Sequence, residues 1–225
     1  MILDDLINDY LFNYVSTMHR TDINKKMCGC CSMVEEMNQI LKDYKSKTKT
    51  INEILWDCVC VRHGHQYCIS NDAVNAAVAA LLESEVMLAN LHQYKPFVSG
   101  KQFVKGFVDF EELYDFVCSV IGKINGIGPL TVYDTAKRIG HLLTPAIYPK
   151  QYVYLAAGAL EGAKTLLGDK KLKFREPIQR FEPYFGTLGS LYIEDILCIY
   201  KADFVLGSKP LKSFGKANAQ QCNYI

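Results

Sequence analysis

Apolar residues three and four positions apart recur along most of this chain, and that spacing constrains the fold more than any other feature. Side chains with this spacing lie on one face of an α-helix, where they pack against neighbouring helices. In the N-terminal half the pattern covers residues 1–18, 33–44, 51–61 and 72–92. The best candidate for strand-like alternation, residues 101–110, contains Gly106 and is predicted to be a loop. The sequence therefore predicts an all-α protein.

The C-terminal half contains four more helical segments. They cover residues 109–124, 129 to 140 or shortly beyond, 150–167 and 189–204. Asp109 is predicted to cap the first, with Glu112 three residues later as in a capping box. Ser190 is predicted to cap the last. Gly158 and Gly162 lie on one face of the third helix and predict the close approach of another helix.

The length allows more than one arrangement of these helices. A chain of 225 residues can bury one sizeable core, or two small cores that share an interface. We expect one compact unit with a helical N-terminal layer over residues 1–108 and a helical core over 109–206. Residues 207–225 are polar and basic and are predicted to form a loose tail.

The composition is that of an ordinary soluble protein, with 49% apolar and 22% charged residues. The longest apolar run, residues 73–82, is too short to span a bilayer, so no membrane partner is expected. The N-terminus is acidic, whereas a secretory signal needs positive charge. Nine cysteines without a regular disulfide framework favour a reducing cytoplasm as the location.

Charge is distributed unevenly, although the net charge is only +1. Residues 69–122 contain three basic and seven acidic side chains, whereas residues 123–180 contain ten basic and four acidic ones. A local basic excess is typical of a surface that binds phosphate groups. Part of this excess, at Lys170, Lys171 and Lys173, is interpreted as a solvated loop.

The basic segment contains the stretch NGIGPLTVYDTAKRIG, residues 125–140. Gly126 and Gly128 predict a tight turn, and Pro129 suits the first position of the next helix because it has no N–H to leave unpaired. This succession of helix, glycine turn and helix resembles the helix-hairpin-helix motif of DNA-binding proteins. The residues that carry the resemblance are Ile124, Gly126, Ile127, Gly128, Pro129, Thr131 and Ala136.

The resemblance implies that backbone N–H groups of the turn contact a phosphate oxygen without reading the base sequence. Ile127 would point inward as an anchor. The predicted nucleic-acid-binding residues are Lys123, Gly126, Ile127, Gly128, Leu130, Thr131, Lys137 and Arg138. DNA is therefore the expected partner. The alternative is a protein-interaction or structural module in which the hairpin only packs helices.

Residues 121–152 also resemble the core of the helix-hairpin-helix DNA glycosylases, which flip a base out of the duplex and cleave its bond to the sugar. In that family an aspartate beyond the second helix stabilises the transition state, and some members add a lysine nucleophile at that helix's start. The corresponding positions hold Gln151 and Leu130, which can play neither role. Asp134 matches no family role and is predicted to lie on the helix surface. We therefore expect a non-catalytic protein, with a divergent glycosylase-like enzyme as a third interpretation.

Cysteines and histidines in the N-terminal half leave a zinc site open. The candidate ligands are Cys28, Cys31, Cys58, Cys60, His63, His65 and Cys68. Their gaps are mostly irregular, so buried thiols and surface histidines are the alternative, and no cofactor is predicted. Glu194 and Asp195 are interpreted as carboxylates near a helix N-terminus and not as a site. His141 is expected to be isolated.

Overall fold

The computed structural model describes residues 2–10, 33–60, 69–91, 98–99, 102–103 and 106–204. These residues are mostly helical, which confirms the all-α fold class. The helices are α1 (Ile2–Asp9), α2 (Met33–Ser46), α3 (Ile51–Val59), α4 (Asn71–Glu83), α5 (Glu85–Leu91), α6 (Phe110–Ile121), α7 (Pro129–Leu142), α8 (Ala157–Leu167), α9 (Glu182–Phe185) and α10 (Ser190–Ile199). The short strands are β1 (Val98–Ser99), β2 (Gln102–Phe103), β3 (Tyr152–Tyr154) and β4 (Arg175–Pro177). Among the described residues, no helix is both long and apolar enough to cross a bilayer.

The chain divides into two compact units. The central unit comprises Glu36–Arg62 and Gln66–Tyr148, and the terminal unit comprises Met1–Glu35, His63–His65 and Pro149–Ile225. This division differs from the predicted layers, whose boundary falls at residue 108, because α3 packs against α7 and α4 packs against α6. The tail predicted at 207–225 lies outside the described residues.

Helices α3, α4 and α6 of the central unit begin at side-chain caps, and these helices and α7 bury one face each. At α3, Thr50 and Glu53 form a capping box, in which each side chain accepts from the other's backbone N–H (3.3 and 2.8 Å). Asp109 caps α6 by accepting from the Glu112 N–H at 2.9 Å, which confirms the predicted cap. The side chains buried by α3, α4, α6 and α7 include Ile54, Leu55, Val74, Ala77, Leu81, Leu113, Val117, Ile121, Val132, Tyr133, Ala136 and Ile139.

Two elements of the central unit differ from the prediction. The single helix predicted at 72–92 is interrupted at Ser84, whose Oγ accepts from the Met87 N–H at 3.2 Å as α5 begins. Serine competes for backbone hydrogen bonds in this way, so it favours helix starts over helix interiors. The loop predicted at 101–110 contains β2, which pairs antiparallel with β1.

The terminal unit contains a close contact between α8 and α10. A Cβ atom at Gly162 would come within 2.1 Å of the Leu197 carbonyl oxygen, and one at Gly158 within 2.8 Å of Cys198 Sγ. Only residues without a side chain allow the two helices to lie this close. The predicted role of these glycines is therefore confirmed.

Two helix starts in the terminal unit differ from the prediction. Residues 152–154, predicted as the beginning of a helix, form β3 because they pair antiparallel with β4, and α8 begins only at Ala157. The N-cap of α10 is Gly189 and not Ser190. Ser190 lies buried in the first turn, where its Oγ donates to the Tyr152 carbonyl oxygen.

Candidate nucleic-acid interface

The turn between α6 and α7, residues 122–128, is held by its own backbone. The Ile124 N–H donates to the Ile121 carbonyl oxygen, and the Ile127 N–H donates to that of Ile124, both at 3.0 Å. Gly126 has a φ of +90°, a conformation that side chains rarely adopt, so this position favours glycine. Ile127 is 8% exposed, in agreement with its predicted inward position.

The N-terminus of α7 has no side-chain cap. Its N-cap is Gly128, in extended conformation, and Pro129 occupies the first helical position. The Val132 N–H donates to the Gly128 carbonyl oxygen at 3.1 Å. Within the described part of the chain, the N–H groups of Gly128, Leu130 and Thr131 meet no acceptor. These donors are therefore left to water or to a ligand, at the positive end of the helix dipole.

The two glycines of the turn have different surroundings. A Cβ atom at Gly126 would lie 3.1 Å from the Cβ atom of Ala73, in the first turn of α4. A Cβ atom at Gly128 would meet nothing within 4 Å. The turn is thus closed by α4 at Gly126 and open at Gly128, the residue that begins α7.

Two of the lysines predicted to contact phosphates have opposite environments. Lys123 lies in the turn and is exposed. Lys137 is 5% exposed, and its Nζ lies 2.8 Å from Asp134 Oδ1 and 4.9 Å from the centre of the Tyr133 ring. Lys137 is therefore engaged within α7, which differs from its predicted phosphate contact.

Arg138 is also engaged inside the central unit, unlike its predicted phosphate contact. Its Nε donates to Glu36 Oε1 at 2.5 Å and its Nη1 donates to the Cys58 carbonyl oxygen at 2.9 Å, so it joins α7 to α2 and α3. Burial alone would lower the pKa of Arg138, but Glu36 and Asp134 raise it above its ordinary value. Burial would likewise raise the pKa of Asp134, which Lys137 and Arg138 hold below its ordinary value. Asp134 thus belongs to an ion-pair network and is not the simple surface residue predicted.

The zinc candidates fall mostly outside the described residues. That is where Cys28, Cys31, His63, His65 and Cys68 lie. Cys58 is buried, and burial raises the pKa of its thiol to about 12, which suits a small apolar side chain. Cys60 is half-buried at the end of α3. Among the described residues, no three His, Cys, Asp or Glu side chains are grouped as metal ligands would be.

The acidic pair Glu194 and Asp195 and the two positions that correspond to glycosylase catalytic residues lie in separate places. Glu194 is buried, and Asp195 accepts a hydrogen bond from Tyr10 Oη at 2.7 Å, so both serve the interior of the terminal unit. Leu130, at the position of the glycosylase lysine, is 37% exposed. Gln151, at the position of the glycosylase aspartate, is exposed.

One polar cluster is missing from the sequence-based prediction. His141, expected to be isolated, is hydrogen-bonded through Nδ1 to Tyr148 Oη, and its Nε2 lies 3.2 Å from Asn38 Oδ1. Burial and the charge of Lys45 lower the pKa of His141. Asn38 is 103 residues away in sequence, so no local pattern connects the cluster.

Comparison of the chain with protein-family models, with curated proteins and with solved structures found no match.

Proposed function

We propose that this protein binds the phosphate backbone of DNA, without sequence specificity, through the turn between α6 and α7. The observation that carries the proposal is the N-terminus of α7, where three N–H groups, those of Gly128, Leu130 and Thr131, have no acceptor within the described residues. Helix N-termini with such donors attract anions, because the dipole places partial positive charge there. A phosphate oxygen is an acceptor of the required charge.

The residues next to these donors leave them accessible. Gly128 presents no side chain, and the space where its Cβ would lie is open. Asn125 and Pro129, which flank the turn's open end, are exposed. Lys123 is exposed on the same turn and supplies a positive charge for a neighbouring phosphate.

The proposed contact is weak by itself, because Lys137 and Arg138 are committed to ion pairs within the central unit. Of the basic side chains predicted for this site, Lys123 alone is then left for phosphate. Each phosphate that a protein neutralises changes the slope of log K against log salt by about −0.9 on duplex DNA. The turn should therefore contribute a slope of about −1.

A structural role for the turn is the second candidate. It is favoured by the burial of Ile127 and by the close approach of Gly126 to Ala73. Under this alternative the turn holds α4, α6 and α7 together and contacts no ligand. The two candidate functions predict different effects of a charged N-cap at residue 128 on the affinity for DNA.

Gly128→Asp separates the two candidates. Aspartate is a favoured N-cap, so its carboxylate can accept from the Thr131 N–H and stabilise α7. The same carboxylate then takes the place of the phosphate at the helix N-terminus, and its negative charge repels the DNA backbone. We expect a folded Gly128→Asp protein whose affinity for labelled duplex DNA falls about tenfold or more, which corresponds to about 1.4 kcal/mol or more. Fluorescence anisotropy across a salt series measures this affinity.

Gly189→Asp is the matched control. Gly189 is the N-cap of α10, is also extended and also lacks a side-chain cap, and a Cβ there makes ordinary contact with Tyr192 at 3.7 Å. The control makes the same change of charge at a helix start with no proposed ligand, and should keep wild-type affinity. Wild-type affinity in folded Gly128→Asp would contradict the phosphate contact and favour the structural role.

A further inference from the structure

The loop between α8 and β4, residues 168–174, differs from an ordinary solvated loop. We call it the lysine loop, because Lys170, Lys171 and Lys173 are all exposed on it. It begins at Gly168, which ends α8 in the left-handed conformation with a φ of +64°. Neighbouring residues fix the backbone conformation of this loop and leave its lysines exposed.

Hydrogen bonds to two carboxylates fix the backbone of the lysine loop. The Lys171 N–H donates to Asp169 Oδ1 at 2.8 Å, and the Lys173 N–H donates to Glu176 Oε1 at 2.6 Å. Between these two bonds, Leu172 is buried in the apolar core of the terminal unit. The loop is thus anchored at three successive residues, and its lysines are held near one another.

The same two carboxylates form their side-chain ion pairs with Arg180 and not with the lysines. Arg180 donates from Nη2 to Asp169 Oδ2 and from Nη1 to Glu176 Oε2, both at 2.7 Å. The hydrogen bond from Arg180, the one from the Lys171 N–H and the charges of both residues lower the pKa of Asp169, so two negative charges at Asp169 and Glu176 stand against the positive charges of Arg180 and three lysines. Each carboxylate therefore uses one oxygen for a backbone N–H and the other for Arg180. None of the loop's three lysines has an ion pair within the described residues.

We propose that the lysine loop is a second surface for the phosphate backbone of nucleic acid, carried by the terminal unit. The loop keeps an excess of positive charge over its two carboxylates, and a nucleic-acid strand supplies repeated negative charges that offset the repulsion among the lysines. Lysine contacts a phosphate as a point charge and reads no base, so this surface is not sequence-specific. This inference rests on the function proposed above only in its choice of nucleic acid as the partner.

The surroundings of the loop favour nucleic acid over an acidic protein or a membrane. Leu172 is buried and Phe174 is half-buried, with its ring centre 5.8 Å from that of Tyr154, so the loop offers no apolar anchor. The cores of protein interfaces are depleted in lysine. Stable membrane binding needs apolar insertion or a cluster of about four to eight basic residues.

Two triple variants test the proposal by anisotropy of labelled duplex DNA against salt. Lys170→Gln/Lys171→Gln/Lys173→Gln should make the slope of log K against log salt shallower by about 2.7, since each lost phosphate contact removes about 0.9. The matched control, Lys170→Arg/Lys171→Arg/Lys173→Arg, keeps the charge and should keep the wild-type slope. Circular dichroism checks that both variants fold.

Equal slopes for the two triple variants would overturn the proposal. It would also be overturned if the glutamine variant kept its affinity for duplex and lost affinity for phosphatidylserine vesicles or for polyglutamate. Gly128→Asp separates the two proposed surfaces. If Gly128→Asp weakens DNA binding and the glutamine variant does not, only the lysine loop is refuted. The reverse pattern refutes only the turn, and no binding by the wild type at low salt refutes both.

Discussion

Gly126 and Gly128, two residues apart, serve different physical needs. Gly126 combines a φ of +90° with the close approach to Ala73, so any side chain there is strained. We expect Gly126→Ala to lower the free energy of unfolding by about 1–3 kcal/mol. Gly128→Asp should raise it by about 0.5–1 kcal/mol, because an aspartate N-cap adds a few tenths over glycine and its negative charge interacts favourably with the helix dipole. Urea unfolding monitored by circular dichroism measures both changes in the free energy of unfolding. Equal losses of stability in the two variants would contradict the different roles of Gly126 and Gly128.

His141 should make the free energy of unfolding depend on pH. Its pKa is lowered by burial and by the charge of Lys45, from an ordinary value of 6.5. The unfolded chain therefore takes up a proton more readily than the folded protein, and stability is lost as the pH falls from 6.5 through the folded pKa. Above 6.5 both states are neutral at this residue, and its contribution is complete.

His141→Gln, which cannot titrate, isolates this contribution from that of the other histidines. Urea unfolding from about pH 5 to about pH 8 covers the range in which histidine titrates. The difference in stability between wild type and variant should be constant above about pH 6.5 and shrink below it. A difference that stays constant throughout would contradict the lowered pKa of His141.

The sequence predicts some residues of the turn better than others, for a physical reason. The positions of Gly126, Pro129 and Ile127 follow from local rules of turn and helix geometry. The engagement of Arg138 does not, because its partner Glu36 lies 102 residues away. A basic residue on a helix looks the same in sequence whether it faces solvent or a buried carboxylate.

Arg138 connects three helices of the central unit, and its removal should be costly. Its side chain and that of Glu36 are 12% and 11% exposed, so either charge alone would be left nearly buried. We expect Arg138→Met to lower the free energy of unfolding by about 3 kcal/mol. The double variant Arg138→Met/Glu36→Met should recover most of this loss, because apolar side chains can replace a buried ion pair at little cost. A double-mutant cycle by urea unfolding tests this, and additive losses would contradict the pairing.

Helical elements follow from the sequence where local signals agree. The Asp109 cap and the apolar face of α6 point to the same helix, and both are observed. Local signals fail at Ser84, which interrupts an apolar stripe that continues on both sides. They also fail at β3, whose pairing with β4 is a non-local contact that helical spacing conceals.

At the scale of the whole molecule, a net charge of +1 conceals two basic regions that belong to different units. An apolar stripe indicates that a helix packs against another, but it does not identify that other helix. For this reason the division into units differs from the predicted layers. The salt dependence of the wild type reports how many surfaces act together. A slope of about −1 indicates that the turn alone contacts phosphates, and a slope of about −3.6 indicates that the turn and the lysine loop both do.

Phosphate binding at the N-terminus of α7 can be observed directly by following backbone amides by NMR while unlabelled duplex DNA is added to ¹⁵N-labelled protein. We expect the largest early shifts in the central unit at the N–H groups of Gly128, Leu130 and Thr131, and we expect these shifts to disappear in Gly128→Asp. The Gly189→Asp protein should behave as wild type. Shifts in the central unit that spare the N-terminus of α7, or shifts that persist unchanged in Gly128→Asp, would contradict phosphate binding at this site.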